Sequence, residues 1–361
     1  MKDRDQKHNA LRYCVSKRWY PQLEVDVHSL QGVARKAVLM TDLDVFASIP
    51  DDFGGYRKAV FDCKTLSRES PINRSMWLRG VLDRLKAEHG FCILRKASIE
   101  ADHRLVADQI GVFLLAEDEF DIFAAATSPQ YGDALGHTAN IDNWEQLFAV
   151  ANHFPALEPA LVYLRSTYWM QDDPGAACRK TVAALHEVRN EFDPEKSGHV
   201  AMVADFCSIF ARSLAVFSAR LFRAYLHPKH QERLEEAAKV MLYGGRDAYE
   251  HRNHLYRLLK EKAGVETGNV DLALPDWAAY IKLLRQLLDA PVAVAQSPLI
   301  IRELGFACLL DSNDLSFAKQ LCQESPQAGR FAVLIVSYLL KSAKLPREFS
   351  EKITNKLISL L

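Results

Sequence analysis

Two aspartates and a lysine stand at a spacing that can handle a divalent cation. Asp44 lies in the apolar run from Val38 to Ala47, and Asp62-Cys63-Lys64 ends a second run that begins at Tyr56. Between them, Pro50-Asp51-Asp52-Phe53-Gly54-Gly55 is a cluster of turn formers, so the two runs read as a β-hairpin. Such a hairpin brings both carboxylates and the ammonium to one edge of a sheet. Magnesium is a hard cation that prefers carboxylate and carbonyl oxygens. Asp44, Asp62 and the backbone carbonyl of Cys63 would supply half a coordination shell and leave room for water and phosphate. Lys64 falls on the same face as Asp62, because side chains alternate along a strand. From there it can orient or deprotonate an attacking water and offset charge in a phosphorane-like transition state. The competing reading is a solvated strand rim, where an exposed Asp–Lys pair contributes at most about 1 kcal/mol. Asp42 fits that rim better than the site.

The elements that must position these residues follow from periodicity. Leu23 to His28 alternates apolar and polar residues, the pattern of a half-exposed strand. A helix is predicted from about Asn73 to Glu88, with Met76, Trp77, Val81, Leu82 and Leu85 at helical spacing and Gly90 as its stop. Phe91–Leu94 reads as a short strand. A helix capped by Ser98 then runs to about Gln109, and Val112–Leu115 is a last strand. The order α-β-β-β-α-β-α-β ends near residue 116 and predicts an α/β fold whose last three strands are parallel in a mixed sheet. After about residue 140 the pattern is helical throughout, punctuated at Asp142, Asp173-Pro174, His227-Pro228, Pro275-Asp276 and Leu345-Pro346. The expected organisation is an α/β domain over 1–130, a linker over 131–141 and an all-helical domain over 142–361.

The stretches Thr-Asp-Leu-Asp44-Val-Phe-Ala and Ala-Val-Phe-Asp62-Cys63-Lys64-Thr, on successive strands followed by a helix and a strand, resemble the PD-(D/E)xK nuclease superfamily. The resemblance covers about residues 8–128. It implies a restriction-endonuclease-like fold and a magnesium-dependent endonuclease acting on DNA, with manganese as a substitute ion. Asp44 and Asp62 would be metal ligands and Lys64 the catalytic lysine; a part in defence or repair follows by analogy of fold alone. Two departures stand out. Leu43 replaces the proline of the motif, and the helix near 8–18 lacks the glutamate that many members carry there. Glu24 and Asp26 are the acids that could replace it.

Whole-chain composition neither requires nor forbids a nucleic-acid partner, since the net charge is −1. Residues 1–96 hold 18 Lys and Arg against 12 Asp and Glu, a local basic excess suited to phosphate contacts. Lys2, Arg4, Lys7, Arg12, Lys17 and Arg18 form one basic cluster, and Arg68, Arg74, Arg79 and Arg84 another. Arg74 and Arg79 near the start of their helix are the natural phosphate contacts. A second candidate site is Arg246 with His251, an R-x4-H pattern similar to that of the HEPN ribonucleases. There His251 would serve as acid or base and Arg246 would hold phosphate in metal-free RNA cleavage. A third reading is a nuclease-like sheet that has lost activity and serves as a binding module. Seven dispersed cysteines argue against a zinc ribbon or disulfide framework and suit a reducing, cytoplasmic setting. The apolar stretch near 201–217 carries Asp205 and Arg212, so a buried helix is expected there and no membrane partner. The helical part is expected to serve protein partners or self-association.

Overall fold

The computed structural model describes residues 1–28, 38–65, 70–95, 99–225, 231–264 and 271–361. Arg68, Ser98, His227 and Pro228, invoked above, lie outside these residues. The first part of the chain runs α1 (Arg4–Ser16), β1 (Tyr20–His28), β2 (Leu39–Pro50), β3 (Tyr56–Lys64), α2 (Pro71–Leu85), β4 (His89–Leu94), α3 (Ala101–Gln109), β5 (Val112–Ala116) and α4 (Glu117–Thr127). The five strands form one sheet in sequence order. β1, β2 and β3 are joined antiparallel, while β3–β4 and β4–β5 are parallel because a helix crosses over between each pair. The α/β class and mixed sheet are therefore as expected.

Local chemistry sets the boundaries. Pro71 sits in the first turn of α2, where its missing N–H is harmless. The helix ends at Leu85, and Lys86 turns the chain in the left-handed region at φ 52°. Gly90 is therefore not the stop expected for this helix: it lies in β4, close under Leu78 and Leu82 of α2. On the opposite face, Tyr13 of α1 packs edge-on to Phe61, Phe91 and Phe120. Helices thus cover both faces of the sheet.

The remainder is helical: α5 (Ile141–His153), α6 (Glu158–Val162), α7 (Pro174–Glu187), α8 (Ser197–Tyr225), α9 (Gln231–Leu242), α10 (Arg246–Lys262), α11 (Trp277–Leu287), α12 (Pro291–Val294), α13 (Ser297–Leu309), α14 (Ser316–Glu324), α15 (Pro326–Ser342) and α16 (Arg347–Ile358). Asp173 caps α7 through Ala176 N–H at 2.8 Å. By length and composition alone, α8 and the segment Pro291–Leu309 could each span a membrane. In the fold, 89% of the apolar window of α8 is buried inside the protein. Asp205 on α8 and Arg302 on α13, both almost fully buried, pair at 2.7 Å.

That pair also ties the helices to the sheet. Arg302 donates to the Pro21 carbonyl and to Gln22 Oε1, and its guanidinium lies 4.0 Å from the Tyr20 ring centre. Tyr20 and Ser208 hydroxyls meet at 2.6 Å. Over 131–141, the expected linker, the chain forms short 3-10 turns. Glu303 fixes one of them by accepting the N–H groups of His137 and Thr138 and the Thr138 hydroxyl at 2.6–2.8 Å. Apolar residues of both parts form one contiguous core. The tip of the β2–β3 hairpin is docked as well. Gly54 adopts φ +76°, and a Cβ there would lie 2.9 Å from Ala219 Cβ and 3.2 Å from the Pro291 carbonyl. Tyr56 donates its hydroxyl to the Ala295 carbonyl at 2.8 Å.

Candidate active site

The β2–β3 ladder runs from Pro50 opposite Tyr56 to Val45 opposite Phe61, and there it stops. Beyond that point β2 continues beside β1 alone and β3 beside β4 alone, so the sheet opens into a fork. Asp44 and Asp62 are the first residues past the split. A fork leaves strand N–H groups without ladder partners, and such groups need an acceptor. Asp44 provides one, accepting the Cys63 N–H through Oδ2 at 2.7 Å.

Sequence order placed three chemical groups here, and the structure brings them together. Lys64 Nζ lies 3.7 Å from Asp44 and 3.8 Å from Asp62. The two carboxylates are only 3% and 4% exposed. Asp62 is held bidentately by Arg74 of α2, with both bonds at 2.6 Å. The Arg74 guanidinium stacks 3.7 Å from the Trp77 ring centre, which fixes its plane. The Cys92 thiol approaches Asp62 at 3.8 Å. Burial pushes the Cys63 thiol far above its ordinary range, so this side chain is no thiolate ligand. The contact that Cys63 makes in the site is through its N–H.

One element of the site was missed. Lys7 of α1 is only 3% exposed and reaches both Asp44 Oδ1 and Glu24 Oε1 at 3.0 Å. Its neighbour Gln6 donates weakly to the Lys64 carbonyl at 3.4 Å, while the buried Gln6 Oε1 has no hydrogen-bond partner. The signal was present in the sequence: Lys7 shares one helical stripe with Ala10, Leu11 and Cys14, all fully buried. A lysine on such a stripe needs a buried acid to meet it. Glu24 enters the site through Lys7 and also lies 3.4 Å from Arg165. It sits in β1 at φ 50°. For a residue with a Cβ that conformation costs roughly 1–2 kcal/mol. Asp26 stays in the ladder opposite Asp42, away from this cluster.

Three carboxylates (Asp44, Asp62 and Glu24) thus face four cations (Lys7, Lys64, Arg74 and Arg165). Burial pushes the Asp44 carboxyl up from its ordinary value, against the pull of Lys7, Lys64 and the Cys63 N–H. Burial also works against the Lys7 ammonium, but Asp44 and Glu24 together outweigh it and its pKa is raised. The two directions conflict for Asp44 as a partner. The contacts at 2.7 and 3.0 Å favour the ionised pair, because a neutral acid would leave Lys7 buried beside Glu24 alone.

No protein-family model matches the chain, and no curated protein or solved structure does either.

Fitness for a metal ion can be tested on these atoms. Among the described residues, no group of three or more His, Cys, Asp or Glu converges. Two carboxylates and the orphaned Gln6 Oε1 near the end of β3 are nonetheless hard oxygen donors of the kind magnesium takes. An incoming cation competes with Arg74 and Lys7 for oxygens they already hold.

The basic residues named from the sequence are largely engaged internally. Arg4 pairs with Asp142, Arg12 bonds the carbonyls of Tyr131 and Asp133, Lys17 that of Thr127, and Arg18 pairs with Glu324. Arg79 holds Asp83 and the Ile110 carbonyl, and Arg74 holds Asp62. Most of the cations named in the two clusters therefore already have a partner within the protein. Arg246 and His251 both lie exposed on α10, and Arg246 is engaged by Glu236 at 2.7 Å and Glu250 at 3.8 Å. An arginine held by two acids is poorly placed to hold phosphate.

Proposed function

We propose that the chain is a metal-dependent nuclease of the restriction-endonuclease-like fold, hydrolysing phosphodiester bonds in DNA. The observation that carries this reading is the convergence of Asp44, Asp62 and Lys64 where β2 and β3 part. Asp44, Asp62 and Gln6, with the Cys63 carbonyl, would hold magnesium or manganese, and the ion would supply Lewis acidity and an acidified water. Lys64 stands within reach of both carboxylates, where its ammonium can orient a water and offset charge growing on phosphate. Lys7 keeps the Asp44 carboxylate ionised and oriented. The helical part anchors the hairpin that carries the acids.

A second reading, a nuclease-like sheet used only for binding, is favoured by two specific observations. Arg74 already occupies both oxygens of Asp62, and Lys7 stands on α1 where a third acid would strengthen metal binding.

Plasmid and single-stranded RNA cleavage decides between them, run with magnesium, manganese or EDTA on wild type, Asp62→Asn and Lys64→Ala. Magnesium-dependent DNA cutting that both substitutions abolish is the expected result. DNA that is bound but left intact under every condition would favour the binding module. RNA cutting that survives EDTA and both substitutions would move the chemistry to Arg246 and His251.

A further inference from the structure

Asp62 and Lys58 lie four residues apart on β3, so at about 3.3 Å per residue they are roughly 13 Å apart on the same face. Lys58 opens into a cleft of about 360 Å³ between the turn end of the β2–β3 hairpin and the C-terminal half of α8. That volume falls within the ordinary range for small-ligand sites.

The charges lining the cleft do not balance. Lys58, Lys86, Arg212, Arg220 and Arg223 line it, against Asp51 and Asp172. Asp51 is engaged in its own turn, accepting the N–H groups of Phe53 and Gly55 at 2.8 and 2.7 Å. Asp172 faces Lys86 at 3.5 Å. Arg223 donates to the Phe53 carbonyl. Arg212 is half-buried and touches only neutral groups: it donates to Ser48 Oγ at 2.7 Å and to the Tyr168 hydroxyl at 3.4 Å, amid the rings of Tyr56, Tyr168 and Trp169. Among the described residues, neither Arg212 nor Arg220 has a carboxylate within ion-pair distance.

Cations that line one half-buried cleft repel one another unless an anion joins them. Lys58 records that strain: burial, then the Arg212 charge, push its ammonium below the ordinary value. On the protein side its ammonium donates to the Leu85 carbonyl at 2.8 Å, and the Asp172 and Glu88 charges pull its pKa back up without outweighing burial and Arg212. A guanidinium ringed by aromatic side chains has its plane fixed and its remaining N–H groups directed, which suits the several oxygens of a phosphate.

We infer that the cleft between Lys58 on β3 and Arg212 and Arg220 on α8 is a second binding site, one that takes a phosphate group. The phosphate belongs either to a nucleic-acid backbone or to a small phosphorylated ligand. Neither case depends on the fork being catalytic.

The test is calorimetric titration of inorganic pyrophosphate into the full chain in EDTA, so that no metal carries phosphate to the aspartates. Variants are Arg220→Glu, which is exposed, Lys58→Met, and Lys64→Ala as a control at the fork, each checked for an unchanged melting profile. Wild type and Lys64→Ala should bind alike, while Arg220→Glu and Lys58→Met should each weaken binding by roughly tenfold or more, the loss of one or two charge-assisted bonds. A short single-stranded DNA that displaces pyrophosphate assigns the phosphate to a nucleic acid; pyrophosphate binding without displacement assigns it to a small ligand. The inference is overturned if pyrophosphate fails to bind wild type, if it binds Arg220→Glu and Lys58→Met as tightly, or if Lys64→Ala weakens it equally.

Discussion

Replacing Arg74 with glutamine separates the ion-pair role of the fork from its metal role. Arg74 makes two 2.6 Å bonds to a carboxylate that is 4% exposed. Removing one partner of a buried pair costs about 3–5 kcal/mol. Lys64, 3.8 Å from the same carboxylate, remains and offsets part of this, so the lower end of about 3 kcal/mol is the expected loss. For a chain of this length that lowers the melting temperature by about 4 °C in EDTA, from an unfolding entropy of about 2 cal/mol/K per residue. Magnesium at about a hundred times its dissociation constant should return about 2.7 kcal/mol and so restore most of the loss. Wild type should gain less, because Arg74 must first release Asp62. Differential scanning fluorimetry with a magnesium titration gives both numbers. A variant as stable as wild type in EDTA would refute the ion-pair argument, and magnesium without effect on either protein would refute the metal argument.

Three further expectations concern the scaffold. Gly54→Ala combines a left-handed φ with a 2.9 Å approach to Ala219, and should cost about 1–3 kcal/mol in chemical denaturation. Arg302→Met leaves Asp205 buried beside Ser208 alone and removes the bonds to Pro21 and Gln22, so a loss of about 3–5 kcal/mol is expected by urea melts; Arg302→Met with Asp205→Leu should recover part of it. His199 is buried, and burial followed by the Lys196 charge lowers its pKa below 6.5. The unfolded chain therefore takes up this proton more readily, and stability should fall as pH drops below about 6.5, then level off below the folded pKa. His199→Gln should flatten that part of a urea-midpoint profile, and an unchanged slope would show that His199 is not responsible.

The sheet was legible because its strands obey simple periods. β2 and β3 are apolar runs flanking an obvious turn, and β3, β4 and β5 alternate with helices, which leaves parallel pairing as the short connection. The aspartates and Lys64 were legible because two strand registers place them. Gln6 and the second partner of Glu24 were not, and the apolar stripe of α1 signals only that Lys7 is buried, because what these residues meet at the fork is set by tertiary packing. The same holds for the N-terminal basic residues. A count of charges says nothing of whether Arg12 faces solvent or the carbonyls of Tyr131 and Asp133. The segment 131–141 looked like a linker from Gly132, Gly136 and its polar residues. Glu303, more than 160 positions away, is what folds it down.

The bonds that Arg302 makes to Pro21 and Gln22 span about 280 residues of chain. At a synthesis rate of about 5–20 residues per second, β1 waits roughly 15–55 s on the ribosome before the side chain that fastens it exists. The docking of Gly54 against Pro291 imposes nearly the same delay on the hairpin that carries both aspartates. Long-range closures of this kind are slow to form, so the fork is among the last regions of the nascent protein to become rigid. Its acids acquire their final spacing only after Pro291 and Arg302 have emerged.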